Sequence, residues 1–499
     1  MDSQLIPGEK GATLPTSATP SPQLPQREAF QHRASSRRFR ISIFILLILT
    51  PLLLFKNAHN SPLSLYTSRQ KPDVASVQQC SINNLKSDLS FLDAAQPIQA
   101  AEFILRRDRL AQALAANGVD AFVLEPGYTF QYYGNVSQQD WEPWEPEERP
   151  FLMLIKPQVS PNGGVYAKTA FLSPHFEEGR VRMLGIPSRD DAELDIVVWE
   201  EHWNPYTTLL NSRLFAGGSE PPTLMIEEEM RDYIVRGLTA AGFRTVGLSP
   251  KAELVRQQKT AAEVEILRAV NTGTVAAVRA MRPCLVPDLT EDQVTAILDQ
   301  TLLSIGFGLF FDIVLFEEHG ALPHGGFVTG GKKLTHDSMV VIDVGAHYLG
   351  YSSDICRSFM IDPPSGRRDQ HVADPLRAEK EKVWRIVLDA QTAAAKAMKP
   401  NGTAASVDIA ARSVIEDAGY GYGFTHRLGH GIGIKAHESP YLNKWNTGSL
   451  LKPGMTFTNE PGIYLEGKFG VRHEDVYLVM EDGEAELLTG QRARGIYEP

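Results

Sequence analysis

Two segments of this chain set acidic residues inside apolar, strand-forming runs. VVIDVGAHYLGYSSDICRSF carries Asp343 and Asp354, and TFTNEPGIYLEGKFGVRHEDVYLVM carries Glu460 and Glu474. Carboxylates in V-V-I-D or T-N-E-P-G-I-Y surroundings are hard to solvate, so the fold must bring them a positive partner. A turn centred on Tyr348–Leu349 puts Asp343 directly opposite Asp354, with Cβ atoms ~4.5–5.5 Å apart. A turn centred on Gly467 puts Glu460 opposite Glu474 in the same way. A slip of one residue would send a side chain to the other face, so one such pair is weak evidence. Two pairs constrain the fold strongly. Like charges facing each other need compensation, and a metal ion is the economical source.

Between the two hairpins lies THRLGHGIGIKAHESP, with His426, His430 and His437 at spacings of four and seven. A zinc-protease helix needs Glu directly after the first His of HxxxH, and Arg427 stands there. Gly429, Gly431 and Gly433 argue against a regular helix, so this is read as a loop or helix edge presenting histidines to a cleft. Four carboxylates with one imidazole suit two divalent ions that share bridging acids.

The rest of the chain frames this centre. Residues 100–250 alternate helix and strand (AEFILRRDRLAQALAANG, then DAFVLEP; IEEEMRDYIVRGLTAAG, then RTVGLS), which predicts an α/β domain over 98–252. From 253 to 499 the pattern is two helices, strands, two helices, strands, as if one unit were used twice. The second of these helices has Thr290 or Asp288 as its N-cap. Residues 1–40 are rich in Pro, Ser and Gln and read as a disordered tail. ISIFILLILTPLLLF (41–55) is uncharged; as a helix it spans ~22 Å against a hydrocarbon core of ~30 Å. The long preceding tail favours an uncleaved signal anchor over a cleaved signal peptide, whose n-region is short. Arg37, Arg38 and Arg40 before the span, against Lys56 after it, place the tail in the cytosol and the remainder in the lumen or outside the cell. The alternative is secretion after cleavage. Residues 56–97 read as a linker. Sequons at Asn135 and Asn401 are usable only with that topology. The net charge of -11 argues against a nucleic-acid partner, and three cysteines are too few for a disulfide scaffold.

At ALPHGG, VVIDVGAHYLGYSSDICRSF, HRLGHGIG, AHESP, NEPGIY and GVRHEDVYLV, in that order, the sequence resembles the pita-bread metallopeptidases: aminopeptidase P, prolidase and, more distantly, methionine aminopeptidase and creatinase. The resemblance covers roughly residues 100–490. It implies an α/β (α+β) fold, a C-terminal pita-bread catalytic domain preceded by a smaller creatinase-type domain. It implies five metal ligands: Asp343, Asp354, His430, Glu460 and Glu474. Asp354 and Glu474 would bridge two ions, Asp343 completing one site and His430 with Glu460 the other. His324, His426 and His437 look like the family's substrate-facing histidines, and Arg472 matches its arginine two residues before the last glutamate. Paired ions lower the pKa of a bridging water and yield hydroxide near neutral pH. Glu460 would act as general base and then acid, with His437 stabilising the oxyanion. The function implied is cleavage between an N-terminal residue and proline, as Xaa-Pro aminopeptidase or dipeptidase. Manganese is the expected metal, with cobalt or zinc as alternatives, and a homodimer the expected assembly. A creatinase-like C–N hydrolase and a non-catalytic binding module are the rival readings. Cys356, His473, Asn459 and Asp288 depart from the family pattern.

Overall fold

The computed structural model describes residues 72–137, 139–142, 145, 148–218, 220–326, 328–362 and 375–499. The expected tail (1–40) and anchor (41–55) lie outside the described residues, as does most of the loop after residue 362. Among the described residues no helix is long and apolar enough to cross a membrane.

The smaller domain is built on a six-stranded mixed sheet. Its elements are α2 (Ala100–Ala115), β1 (Ala121–Leu124), α3 (Tyr128–Gly134), β2 (Leu152–Val159), β3 (Val165–Pro174), α4 (Glu178–Met183), β4 (Asp195–Trp199), α5 (Pro205–Leu210), β5 (Thr223–Ile226), α6 (Asp232–Ala241) and β6 (Arg244–Val246). The strand order is β4-β3-β2-β1-β5-β6. β1 pairs in parallel with β5 and antiparallel with β2. The stretch IEEEMRDYIVRGLTAAG is helical only from Asp232. Ile226 ends a fully buried strand, and the acids after it form the turn into α6.

Helix α1 (Val74–Lys86) precedes this domain and falls within the span expected to be a linker. Val77 and Leu85 are buried in the core of the C-terminal domain. A disulfide between Cys80 and Cys284 fixes α1 there, with Cα atoms 6.0 Å apart and a sequence separation of 204. A crosslink closing so long a loop restricts the unfolded chain. The double variant C80S/C284S is expected to lower unfolding free energy by about 2–4 kcal/mol, read from urea denaturation against untreated protein.

The C-terminal domain follows through α7 (Pro250–Gln257). Its first half is α8 (Ala261–Met281), α9 (Glu291–Leu303), β7 (Gly308–Phe316), β8 (Val340–Tyr348), β9 (Tyr351–Ser352) and β10 (Ile355–Phe359). Its second half is α10 (Pro375–Ala397), α11 (Ala404–Asp417), β11 (Gly429–Gly431), β12 (Glu438–Leu442), β13 (Thr456–Asn459), β14 (Gly462–Leu465), β15 (Phe469–Arg472), β16 (Asp475–Leu478) and β17 (Glu486–Leu487). Helices α8 and α9 each start with a capping box, Thr260 with Glu263 and Thr290 with Gln293, so Thr290 is the N-cap. One apolar core joins α1, α8 and α9 to β7, β8 and β10, and another joins α10 and α11 to β13–β16. The first half thus carries a helix-backed four-stranded sheet (β10-β8-β7, with β9 on β8), and the second a helix-backed five-stranded sheet (β12-β11-β13-β16-β17) with the separate β14–β15 pair. Asp288 takes φ +72°, a left-handed conformation that favours glycine and that Asp tolerates better than most residues.

The second hairpin has the expected register: Gly462 opposes Arg472 and Asn459 opposes Asp475, which sets Glu460 against Glu474. The first is corrected. Its turn is centred on Leu349–Gly350, both at positive φ, and Cys356 rather than Asp354 opposes Asp343. Two left-handed residues match a two-residue hairpin to strand twist, and Gly350 supplies one of them freely. Moving the turn by one position moves the partner by two. Asp354 therefore stays on the same face as Asp343, diagonal to it.

Candidate active site

The sheets bring all five expected ligands together. Asp343 projects from β8, Asp354 precedes β10, His430 sits in β11, Glu460 follows β13 and Glu474 precedes β16. The Glu474 amide donates to the Cys356 carbonyl at 3.0 Å, which joins the two halves beside the centre. Ligand atoms of Asp343, Asp354 and Glu474 lie within 4.8 Å of one another, and so do those of His430, Glu460 and Glu474. A third set, Asp354, His430 and His437, overlaps both. His430 points Nε2 into the centre, 3.2 Å from Glu460 Oε1 and 3.5 Å from Asp354 Oδ2, while its Nδ1 lies 3.0 Å from the Gly431 carbonyl. Thr458 Oγ1 braces the pair: it accepts from the His430 amide at 3.0 Å and donates to Glu460 Oε1 at 3.2 Å.

Burial and mutual repulsion push the Asp354 and Glu474 carboxyls well above the usual range. Burial raises Asp343 too, although the Arg472 guanidinium, 2.5 Å away, opposes it. Asp343 Oδ1 and Glu474 Oε1 are buried without a hydrogen-bond partner. One arginine cannot balance four carboxylates, and orphaned oxygens of this kind are what divalent cations bind. The residues present fit such ions.

Carboxyls with raised folded-state pKa values stabilise the fold below their ordinary value of about 4, and that contribution is lost as pH rises through the raised values. Glu460 opposes them: burial raises it, but the His430 hydrogen bond and charge outweigh this and hold it down to about 2. With three groups against one, metal-free protein is expected to lose stability as pH rises above about 4, and added manganese to remove that slope. Urea midpoints across pH with and without metal measure it.

The remaining expected residues surround this centre. His437 is more than half exposed, its Nε2 3.7 Å from Asp354 Oδ2 and its ring centroid 4.1 Å from that of His430. Desolvation, with His430 and Arg427 nearby, pushes its pKa down. His324 is exposed on the turn before β8, on the side of the centre where Asp343 and His437 lie. Arg472 donates to Asp343, to Tyr464 Oη at 2.7 Å and to the Pro323 carbonyl at 3.1 Å. Tyr464 Oη in turn lies 2.9 Å from His426 Nε2. A hydrogen-bonded line therefore runs from Asp343 through Arg472 and Tyr464 to His426. Sequence reasoning missed Tyr464 and Thr458, although both lie within or beside the TNEPGIY run. Of the departures, Cys356 is fully buried with its thiol pushed far up by desolvation, which leaves it inert. His473 is buried edge-on against Trp384, and desolvation takes it down to about 3, so it packs as a neutral ring.

Two helix-backed half-sheets around a buried carboxylate–histidine centre, with a smaller α/β domain ahead of them, define a metallopeptidase of the pita-bread class. The chain belongs to metallopeptidase family M24, whose pattern matches residues 265–481. It is 37% identical over 463 residues to an uncharacterized peptidase of Schizosaccharomyces pombe, covering 92% of this chain and 94% of that protein. It is 31% identical over 388 residues to the probable dipeptidase PepE of Mycobacterium tuberculosis, covering 77% and 94%. Among solved structures, dipeptidase PepE from Mycobacterium ulcerans superposes with TM-score 0.66 at 29% identity over 79% of this chain and 98% of that one. The Xaa-Pro dipeptidase from Bacillus anthracis gives TM-score 0.63 at 25% identity over 80% and 99%. This chain is a metal-dependent peptidase.

Proposed function

We propose that the protein is a dinuclear Xaa-Pro peptidase, releasing an N-terminal residue from a peptide with proline second or splitting Xaa-Pro dipeptides. The observation that carries the reading is the pair of ligand triads, Asp343–Asp354–Glu474 and His430–Glu460–Glu474, sharing one carboxylate. Relatives described as a prolidase and an Xaa-Pro dipeptidase support the proline preference. The donor set, rich in oxygen with one imidazole, suits manganese, with cobalt or zinc as alternatives.

Bound ions would supply Lewis-acid polarisation of water and of the scissile carbonyl. The chain's own groups do the rest. Glu460, ionised at neutral pH, accepts a proton from the attacking water and passes it to the leaving amine. His437, uncharged and unencumbered, offers an N–H to the oxygen on which charge develops. Arg472 holds Asp343 against its neighbours' repulsion and, through Tyr464, holds His426 at the same cleft. The deciding experiment assays manganese-loaded protein on Xaa-Pro, Xaa-Pro-Yaa, proline-free peptides and creatine. Hydrolysis confined to the proline substrates is expected; hydrolysis of creatine, or metal binding without any hydrolysis, would replace the reading by one of its rivals.

The same proposal covers location and assembly: a single-pass protein anchored through 41–55, its catalytic part lumenal or extracellular, and homodimeric. The Cys80–Cys284 disulfide supports this placement, since such bonds persist in oxidising compartments. The sequon residues Asn135 and Asn401 are both exposed, as glycosylation requires. N-terminal sequencing of the mature protein separates anchor from cleaved signal, and sedimentation reads the assembly.

A further inference from the structure

His437 is placed by its backbone. Its imidazole makes no hydrogen bond to the described residues; its contacts are the long approach to Asp354 and the ring of His430. The loop that carries it is held on both sides by buried charges. Two residues before it, Lys435 (6% exposed) reaches Glu227 Oε1 at 3.2 Å and Glu229 Oε1 at 2.8 Å. Directly after it, Glu438 (2% exposed) accepts from Lys259 Nζ at 2.9 Å and lies 3.6 Å from Arg256 Nε. Glu438 Oε1 also accepts from the Lys435 amide at 3.2 Å, closing the loop on itself. Further back, Ser352 donates to the Gly433 and Ile434 carbonyls, each at 2.9 Å.

Glu227 belongs to the smaller domain, just past the end of β5. It is buried (7% exposed) and its carboxylate also accepts from Thr129 Oγ1 at 2.9 Å and the Glu229 amide at 2.7 Å. Arg256 Nη1 donates to the same Thr129 at 2.7 Å. A buried ion pair is costly unless its hydrogen bonds are satisfied, and here they are. Such a pair fixes geometry more than it adds stability.

We propose that Glu227 and Lys435 are positioning residues for the peptidase reaction: through them the smaller domain fixes the loop that aims His437 at the metal centre. The inference rests on the peptidase reading above, with His437 as its electrophilic group. It makes the smaller domain part of the catalytic apparatus, although none of its side chains is among the expected ligands.

The test is a double-mutant cycle in full-length, manganese-loaded protein. E227Q/K435M removes both charges together and keeps side-chain size, so the fold is retained. In otherwise natural protein, H437A is expected to lower kcat about 100-fold. In the E227Q/K435M background kcat is already low, and H437A is expected to cost under about threefold more. A second readout needs no catalysis: hydrogen exchange over residues 432–438 of metal-free protein should speed up in E227Q/K435M, with the rest of the chain unchanged. K435M alone, which removes the contacts to both Glu227 and Glu229, gives the same two readouts if the double variant does not fold. An H437A cost equal in both backgrounds, or unchanged exchange of that loop, overturns the proposal. Natural protein inert on Xaa-Pro peptides would instead overturn the functional reading, with the exchange result still standing on its own.

Discussion

E460Q is expected to lower kcat on an Xaa-Pro peptide by about 10³-fold while leaving most of the bound metal in place. Glutamine keeps the length of the side chain and an oxygen that can accept from Thr458, which sits 3.2 Å from Glu460 Oε1. What it lacks is a basic site for the proton of the attacking water. Burial alone would raise the carboxyl of Glu460. In the metal-free protein the His430 contact at 3.2 Å and the positive charges near it win, and cations bound beside it would favour the charged form further, so the group is ionised at neutral pH. A base already ionised at working pH costs nothing to prepare, and its removal is felt in kcat rather than KM. Steady-state kinetics with elemental analysis on the same sample separates a lost base from a lost ion. An unchanged rate with full metal content would remove Glu460 from the mechanism.

Much of this centre was legible in the sequence because its chemistry is local. Acids embedded in strand-like runs report burial, and period-two alternation reports which face they share. That logic survived even where the first turn was misplaced by one position, because the error moved Asp354 along its strand without changing its face. The glycine pattern argued against a regular helix over the histidine segment and left a loop or helix edge, whereas His430 sits in strand β11 and His437 in the loop after it. What the sequence did not disclose depends on contacts between distant segments. Glu227 sits in IEEEM, whose acids look like the solvated face of a helix. Only the end of β5 at Ile226 and the distant Lys435 make it a buried partner. The disulfide joins cysteines 204 residues apart, and α1 lies in a polar stretch whose few apolar residues become core only against α8 and α9. Tyr464 was in view as a motif residue, but its role as the link between Arg472 and His426 needed the β14–β15 pairing.

E474Q should separate catalytic from structural consequences most sharply, because its two effects have opposite signs. Glu474 is the residue common to both proposed triads, and its Oε1 is buried with no other partner. Replacing it is therefore expected to cut bound manganese from two ions to one or none and kcat by at least about 10³-fold. The metal-free protein should respond the other way. There Glu474 is buried beside Asp354, Glu460 and Asp343, and burial with that repulsion pushes its carboxyl far above the ordinary range. Glutamine needs no proton uptake to be neutral in that site, so metal-free E474Q should be more stable than metal-free natural protein at pH 7. Adding manganese should reverse the order, since ions that bind only the folded natural protein stabilise it by mass action. Urea denaturation of both proteins with and without manganese reads all four states. If E474Q destabilises the metal-free protein, Glu474 is held by something other than a cation, and the shared-ligand arrangement fails with it.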